Sequence, residues 1–461
     1  MRAHEAGALH GEFGQVAPGW LRTPVDVNAL VPQLWPRSVR RGPHGALTVG
    51  GLDVRDIAAQ YGTPAYVLDE DDLRSRCREF RAAFAGCDVY YAGKAFLCRA
   101  VVRAVAEEGL HLDVCTGGEL AVALSAGMPP EKIGLHGNNK STAELARALD
   151  AGVGRIIVDS DVEIDRLTAL ARERGVRPAV LVRVTVGVEA HTHEFIATAH
   201  DDQKFGFSLS GGAAAAAALR ILDEGVLQLR GLHSHIGSQI FDTSGFEVAA
   251  RRVLGLQAQI RDARSTQLPE LDLGGGFGMA YTTQDDPSTP AELAKRLVRI
   301  VTDECAALRL DVPRLSIEPG RAIVGPAVFT LYEVGTVKDV DGLRTYVSVD
   351  GGMSDNIRTA LYDASYSATL AGRASSAPPL LARVVGKHCE SGDIVVKDEF
   401  LPADVAPGDL LAVPGTGAYC RSMASNYNHV PRPPVVAVRD GRARLVVRRE
   451  TEEDLLALDV S

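Results

Sequence analysis

The run Arg155-Ile156-Ile157-Val158, the helical stretch over 161–174 and the run Ala179-Val180-Leu181-Val182-Arg183-Val184 read as one strand–helix–strand unit. The unit repeats. Short runs rich in β-branched and aromatic residues also stand at Val89-Tyr90-Tyr91, 110–114, Ile133-Gly134-Leu135-His136, 229–233, 270–273 and Arg314-Leu315-Ser316-Ile317. Between them lie Ala/Leu/Arg/Glu-rich stretches with helical spacing, over 99–108, 117–126, 142–151 and 246–264. The six-alanine run 213–218 is helix by propensity. Strand–helix alternation implies a parallel sheet, and eight repeats in ~250 residues are the size of a (β/α)8 TIM-type barrel. An open doubly wound sheet is the alternative reading of the same alternation.

After about residue 326 the alternation ends. Strand-like runs at 328–334, 345–349, 382–385, 394–396, 435–438 and 443–447 have no long helices between them, and Asp440-Gly441 is a hairpin signal. This is a C-terminal all-β domain, a β-sandwich or barrel. Residues 1–65 are rich in Gly, Pro and Arg and read as a mostly irregular lead-in packing with that domain. The expected division is therefore 1–65, a barrel over 66–326, and a β domain over 327–461.

The chain has 461 residues, 46% hydrophobic and 23% charged, which is the balance of a globular protein with a sizeable core. A formal net charge of −10 argues against nucleic-acid or anionic-membrane partners. Seven cysteines without CxxC pairs fit a reducing compartment. With no visible signal peptide and no apolar run of ~20 residues, a cytoplasmic location is expected.

Active sites of such barrels lie at the C-terminal ends of the strands. Lys94 follows the first strand there, and His233-Ser234-His235-Ile236-Gly237-Ser238-Gln239 follows the sixth. Gly274-Gly275-Gly276-Phe277-Gly278 follows the seventh and Glu318-Pro319-Gly320-Arg321 the eighth. Lys94 sits among apolar and aromatic neighbours, so its ammonium is expected to be partly desolvated, which would free the amine for a carbonyl cofactor. The glycine run lets backbone N–H groups approach an anion. It is not a dinucleotide fingerprint, because Met279 stands where Gly or Ala is required. Glu318 at the end of a buried strand needs a partner, and a pyridinium nitrogen is a suitable one. Arg321 offers a fork for carboxylate or phosphate, or simply a pair for Glu318. His233 and His235 are expected to face opposite sides, one inward and one into the wall. Glu189, His191, His193 and His200 could suggest a metal, but their spacing matches no strong ligand pattern, so no metal is expected.

In this order the motifs resemble those of the fold-type III pyridoxal-phosphate decarboxylases, most closely the diaminopimelate-specific branch. The likeness runs through Tyr91-Ala92-Gly93-Lys94, His191-Thr192-His193-Glu194, Lys204-Phe205-Gly206-Phe207, residues 235–239, 274–278 and 318–321. It continues through Met353-Ser354-Asp355-Asn356-Ile357-Arg358, Tyr362, residues 389–393 and Gly415-Thr416-Gly417-Ala418-Tyr419. The resemblance implies pyridoxal 5′-phosphate as cofactor, carried on Lys94 as a Schiff base, with His235 stacked on the ring and Glu318 at its nitrogen. Ser238, Gly275, Gly276, Gly320, Arg321 and Tyr419 would surround the phosphate and ring. Arg321, Arg358, Tyr362 and Tyr419 would bind the substrate, meso-diaminopimelate, with Glu390 reading its distal amine. Cys389 would deliver the proton. Cys389 and Glu390 would reach a neighbouring subunit's site, implying a homodimer. Asp113 and Arg183 would support the site, and the 187–207 loop is the candidate lid.

Related enzymes fit less well. Racemases of this barrel class place a cation, not a carboxylate, at the ring nitrogen. Ornithine and arginine decarboxylases carry Asp where Glu390 stands, and their substrates lack a second carboxylate. A non-catalytic relative should have lost Cys389 or Glu318. A sugar-phosphate barrel enzyme without cofactor is the reading from another class.

Overall fold

The computed structural model describes residues 17–187, 203–341 and 343–460. Eight strands, Asp88–Ala92, His111–Val114, Ile133–Leu135, Arg155–Val158, Ala179–Thr185, Gln228–His233, Glu270–Asp272 and Arg314–Ile317, pair in parallel with their neighbours in chain order. The eighth returns to the first through Ser316↔Asp88 and Ile317↔Val89. The barrel is closed, and all eight strands are those expected from the sequence. Closure excludes the open sheet. A short strand, Phe207–Ser208, adds beside the fifth strand at Val184 and Thr185.

Helices follow the strands because the intervening segments start with strong caps. Thr116, Ser141, Ser160 and Thr289 each accept a backbone N–H three residues on, and Ser141 and Thr289 form full capping boxes with Glu144 and Glu292. Each such cap is worth about 1 kcal/mol. Thr116, Ser141 and Ser160 lie just past strand ends, so they also fix the loops after the second, third and fourth strands.

The chain divides into two compact units, one of Arg74–Gly278 and Pro287–Ile323, the other of Met1–Leu73, Met279–Asp286 and Val324–Ser461. The first boundary of this division falls after Leu73, where the sequence reading starts the barrel at 66. Ala65–Asp69 is a strand inserted between Val328–Val340, antiparallel, and Val435–Arg439, parallel. Its backbone bonds thus belong to the second unit's sheet. Residues of the N-terminal segment, among them Leu34, Trp35, Leu47, Val54 and Ile57, share that unit's buried core with Phe329, Leu331, Ala412 and Val436. The Asp440-Gly441 turn closes the expected hairpin with both residues at positive φ, 51° and 68°, the geometry of a type I′ turn. No helix among the described residues is long and apolar enough to cross a membrane.

Candidate functional site

Within the barrel unit, a cavity of about 390 Å³ opens at the C-terminal ends of the strands. Lys94, Asp113, Cys115, Glu119, His136 and Arg183 line it, with Phe205, His233, His235 and Glu318. Lys94 lies in a 3-10 turn, Gly93–Ala95, directly after the first strand. Gly93, Ala95 and Phe96 are buried, but Lys94 itself is exposed. The expected desolvation is therefore not met: the apolar neighbours anchor the turn, and the side chain leaves them for the cavity.

His233 and His235 both line this cavity, against the expectation of opposite faces. Residues two apart in extended chain share a face. Gly275 N–H donates to His235 Nδ1 at 3.1 Å, which fixes the imidazole plane. Burial and the nearby Lys94 and Arg183 charges push His235 well below its ordinary value, so the ring is neutral at pH 7.

The glycine loop is built for close approach. A Cβ on Gly275 would lie 2.1 Å from the Glu318 carbonyl oxygen, and one on Gly276 2.4 Å from that of Gly237. Gly276 also has φ +106°, which disfavours any side chain. Phe277 pins the loop beneath, stacked on Phe246 at 5.3 Å and tilted against Phe80 at 6.1 Å. Burying a phenylalanine contributes about 2–3 kcal/mol. Beside this loop, Arg321 Nη2 donates to Ser238 Oγ at 2.8 Å. The alternative reading, a Glu318–Arg321 pair, is not what balances Glu318.

Histidines do so instead. His136 Nε2 lies 2.8 Å from Glu318 Oε1 and His233 Nε2 lies 3.3 Å from the same oxygen. Burial opposes the charge, but the two imidazoles outweigh it and hold Glu318 well below the usual carboxylate range. Burial pushes Asp113 up to about 6 and Asp272 well above its ordinary value, with the Glu318 charge adding to both. Glu318 thus keeps the negative charge among three neighbouring acids. Its Oε1 nevertheless has no well-formed hydrogen bond, and neither ring nitrogen of His233 has one. A buried ionised oxygen in that state suits a cationic N–H partner, as a pyridinium would supply. The donor atoms of His136, His233 and Glu318 lie within 4.8 Å of one another, so a metal ion would compete for the same carboxylate. The Glu189–His200 group and most of the 187–207 loop lie outside the described residues.

Arg183 stacks on Phe205 at 4.5 Å and lies 3.9 Å from Asp159. Cys115 is pushed up to about 12, chiefly by burial and the Glu119 carboxylate, which excludes a thiolate there at neutral pH.

The remaining site residues from the sequence belong to the second unit. Arg358 is buried, with its guanidinium carbon 4.7 Å from the Tyr281 ring centroid and 5.6 Å from that of Tyr366. It donates to the Tyr366 hydroxyl, and its backbone N–H reaches Asn356 Oδ1 at 3.3 Å. Burial would lower its pKa, but the two tyrosines raise it, so the cation is secure. Tyr362 is half-buried at the end of the same short helix, Arg358–Tyr362. Tyr419 is half-buried too, at φ +62°.

Cys389 and Glu390 stand exposed on the loop between strands Pro379–Val385 and Ile394–Pro402. His388 anchors that loop. Its ring nitrogens meet Asn428 Oδ1 at 2.9 Å and Ser354 Oγ at 2.8 Å. The Asp393 carboxylate accepts from the N–H groups of His388 at 2.8 Å and Met353 at 2.6 Å.

Sequence reading missed His136, Tyr281, Tyr366 and His388. His136 carried a usable signal, since it ends the third strand on the same barrel face as Lys94. The two tyrosines carried none, because only the fold brings Tyr281 to Arg358.

Residues 70–325 match the protein family described as pyridoxal-dependent decarboxylase, pyridoxal binding domain. The chain is 60% identical to diaminopimelate decarboxylase of Mycobacterium tuberculosis, covering 94% of this chain and 98% of that protein. It is 48% identical to diaminopimelate decarboxylase of Bacillus subtilis, over 91% and 97%. The crystal structure of diaminopimelate decarboxylase from M. jannaschii in complex with L-lysine superposes with a TM-score of 0.86. It is 30% identical, over 92% of this chain and 98% of that one.

Proposed function

The chain belongs to the pyridoxal-dependent decarboxylases, and from that premise we propose that it decarboxylates meso-2,6-diaminopimelate to L-lysine and carbon dioxide. This is the last step of bacterial lysine biosynthesis. The observation that carries the chemistry is the shared cavity of Lys94, His235 and Glu318, in which Glu318 is the ionised acid.

Pyridoxal phosphate, when bound, supplies an electron sink for the pair left at the substrate's α-carbon as carbon dioxide departs. Lys94 provides the amine that carries the cofactor covalently. His235 is neutral and held by Gly275 N–H, and its ring face would meet the bound cofactor. Glu318 would keep a proton on the cofactor's ring nitrogen. Ser238, Gly275, Gly276, Gly320, Arg321 and Tyr419 would be the residues that hold its phosphate and ring.

Two guanidinium groups, Arg321 and Arg358, suit a substrate with a second carboxylate, and Tyr362 and Tyr419 add hydroxyl donors. Glu390 pairs with the distal amine. Cys389 delivers the proton to the α-carbon. Both stand exposed, which fits residues that act in the site of a neighbouring subunit. We infer a cytoplasmic homodimer with shared active sites.

The test is carbon dioxide release from meso-diaminopimelate with lysine as product, beside lysine and ornithine as alternative substrates. A yellow, cofactor-loaded protein that releases none from meso-diaminopimelate rejects the proposal. Borohydride reduction followed by peptide mapping should place the label on Lys94.

A further inference from the structure

The reading above gives Glu318 a task but does not say what aims it. His136 is the residue in closest contact with it. The ring approaches Oε1 at 2.8 Å and also lies 3.6 Å from Asp113 Oδ1. The ring stands between two carboxylates, and the shorter distance sets it against Glu318 as a close electrostatic contact. The main chain fixes the ring's starting point, because His136 N–H donates to Val114 O at 2.8 Å across adjacent strands. His233 backs the arrangement, its ring meeting His136 edge-on with centroids 4.9 Å apart and planes at 68°. Around this pair stand Asp113, Asp272, Arg183, Lys94 and His235. Asp113 and Asp272 are acids that burial keeps protonated more readily than Glu318.

We propose that His136 is a positioning residue, which orients the Glu318 carboxylate toward the ring nitrogen of the bound cofactor. The inference rests on the reading of Glu318 as that nitrogen's partner, and its test separates the two.

Cofactor-loaded wild type is compared with His136→Leu, His136→Asn, His136→Gln and Glu318→Gln, with circular dichroism as a check on folding. The readouts are the cofactor dissociation constant and the pH at which the visible band of the bound cofactor changes. Losing one charge-assisted contact should weaken cofactor binding about tenfold and move the band's transition by about one pH unit. His136→Leu should show both effects. His136→Asn, too short to reach Glu318, should show them as well, and it decides the matter if the leucine variant does not fold. His136→Gln places an amide near the position of Nε2 and should recover most of the loss. Added to Glu318→Gln, the leucine change should have no further effect. Wild-type binding and band transition in both His136→Leu and His136→Asn overturn the proposal, as does full additivity with Glu318→Gln. Wild-type behaviour of Glu318→Gln alone overturns the underlying reading of Glu318 instead.

Discussion

The barrel unit and the sheet unit present their reactive residues in opposite ways. At the barrel mouth, Asp113, His136, His233 and Glu318 are buried and electrostatically interlocked around one cavity. In the sheet unit, Arg358 is caged by tyrosines, while Cys389 and Glu390 stand in solvent on an anchored loop. The barrel groups hold one another by charge, while Glu318 Oε1 and both His233 ring nitrogens lack well-formed hydrogen bonds, so the cluster is set up within its own unit to take a further partner. An exposed thiol and carboxylate gain catalytic or recognition value only where a second surface excludes water from them. In our proposal the first region holds the cofactor and the second brings the groups that act on the substrate.

The largest expected effect breaks the barrel side outright. Lys94→Ala removes the amine that carries the cofactor, so borohydride should no longer label the chain. Turnover should fall about a thousandfold or more. Retained labelling at another lysine would remove Lys94 from the centre of the comparison.

The next effect tests the sheet side. Cys389→Ala should lower kcat by about 10²–10⁴ with little change in KM, as expected for loss of a general acid. Mixing this variant with Lys94→Ala subunits sharpens the result. If the two residues meet across subunits, reassorted dimers should regain about a quarter of wild-type activity, since half of the dimers carry one intact site. No recovery despite confirmed subunit exchange would confine each site to one chain.

Arg358→Lys should act on KM for meso-diaminopimelate, raising it about tenfold or more with a smaller change in kcat. Lysine keeps the charge but lacks the planar fork, and it stacks less well on Tyr281 and Tyr366. An unchanged KM would mean that the tyrosine cage serves folding alone.

The same contrast explains how much was legible in the sequence. The eight barrel strands could be read because each is a short apolar run separated from the next by a stretch with helical spacing, a pattern written locally. Lys94, His235, the glycine loop and Glu318 could be read because they follow those strands. The division of the chain was less legible, since Ala65–Asp69 joins the sheet unit through pairings with distant segments and Met279–Asp286 belongs to it from within the barrel's stretch of sequence. His136 sits in full view at a strand end, yet its importance comes from the 2.8 Å contact with Glu318, a residue 182 positions away. The exposure of Lys94 was also beyond local reading, because apolar neighbours in sequence need not surround a side chain in space.

The smallest effect concerns stability and probes how tightly the barrel acids are coupled. Asp113 is pushed up to about 6, first by burial and then by the Glu318 charge, against an ordinary value of 3.8. A carboxyl whose folded value is raised favours the folded state fully below pH 4. That contribution fades as pH climbs through 6, where the native protein must also ionise it. Stability of the cofactor-free protein should therefore fall between about pH 4 and pH 6, by up to about 3 kcal/mol from this group. Asp113→Asn cannot ionise and should flatten the slope in that window, leaving the variant relatively more stable at pH 7 than at pH 4. Urea midpoints measured at both pH values decide the point. An unchanged slope would show that Asp113 does not carry the proton, and that the negative charge is shared among the three acids rather than kept on Glu318.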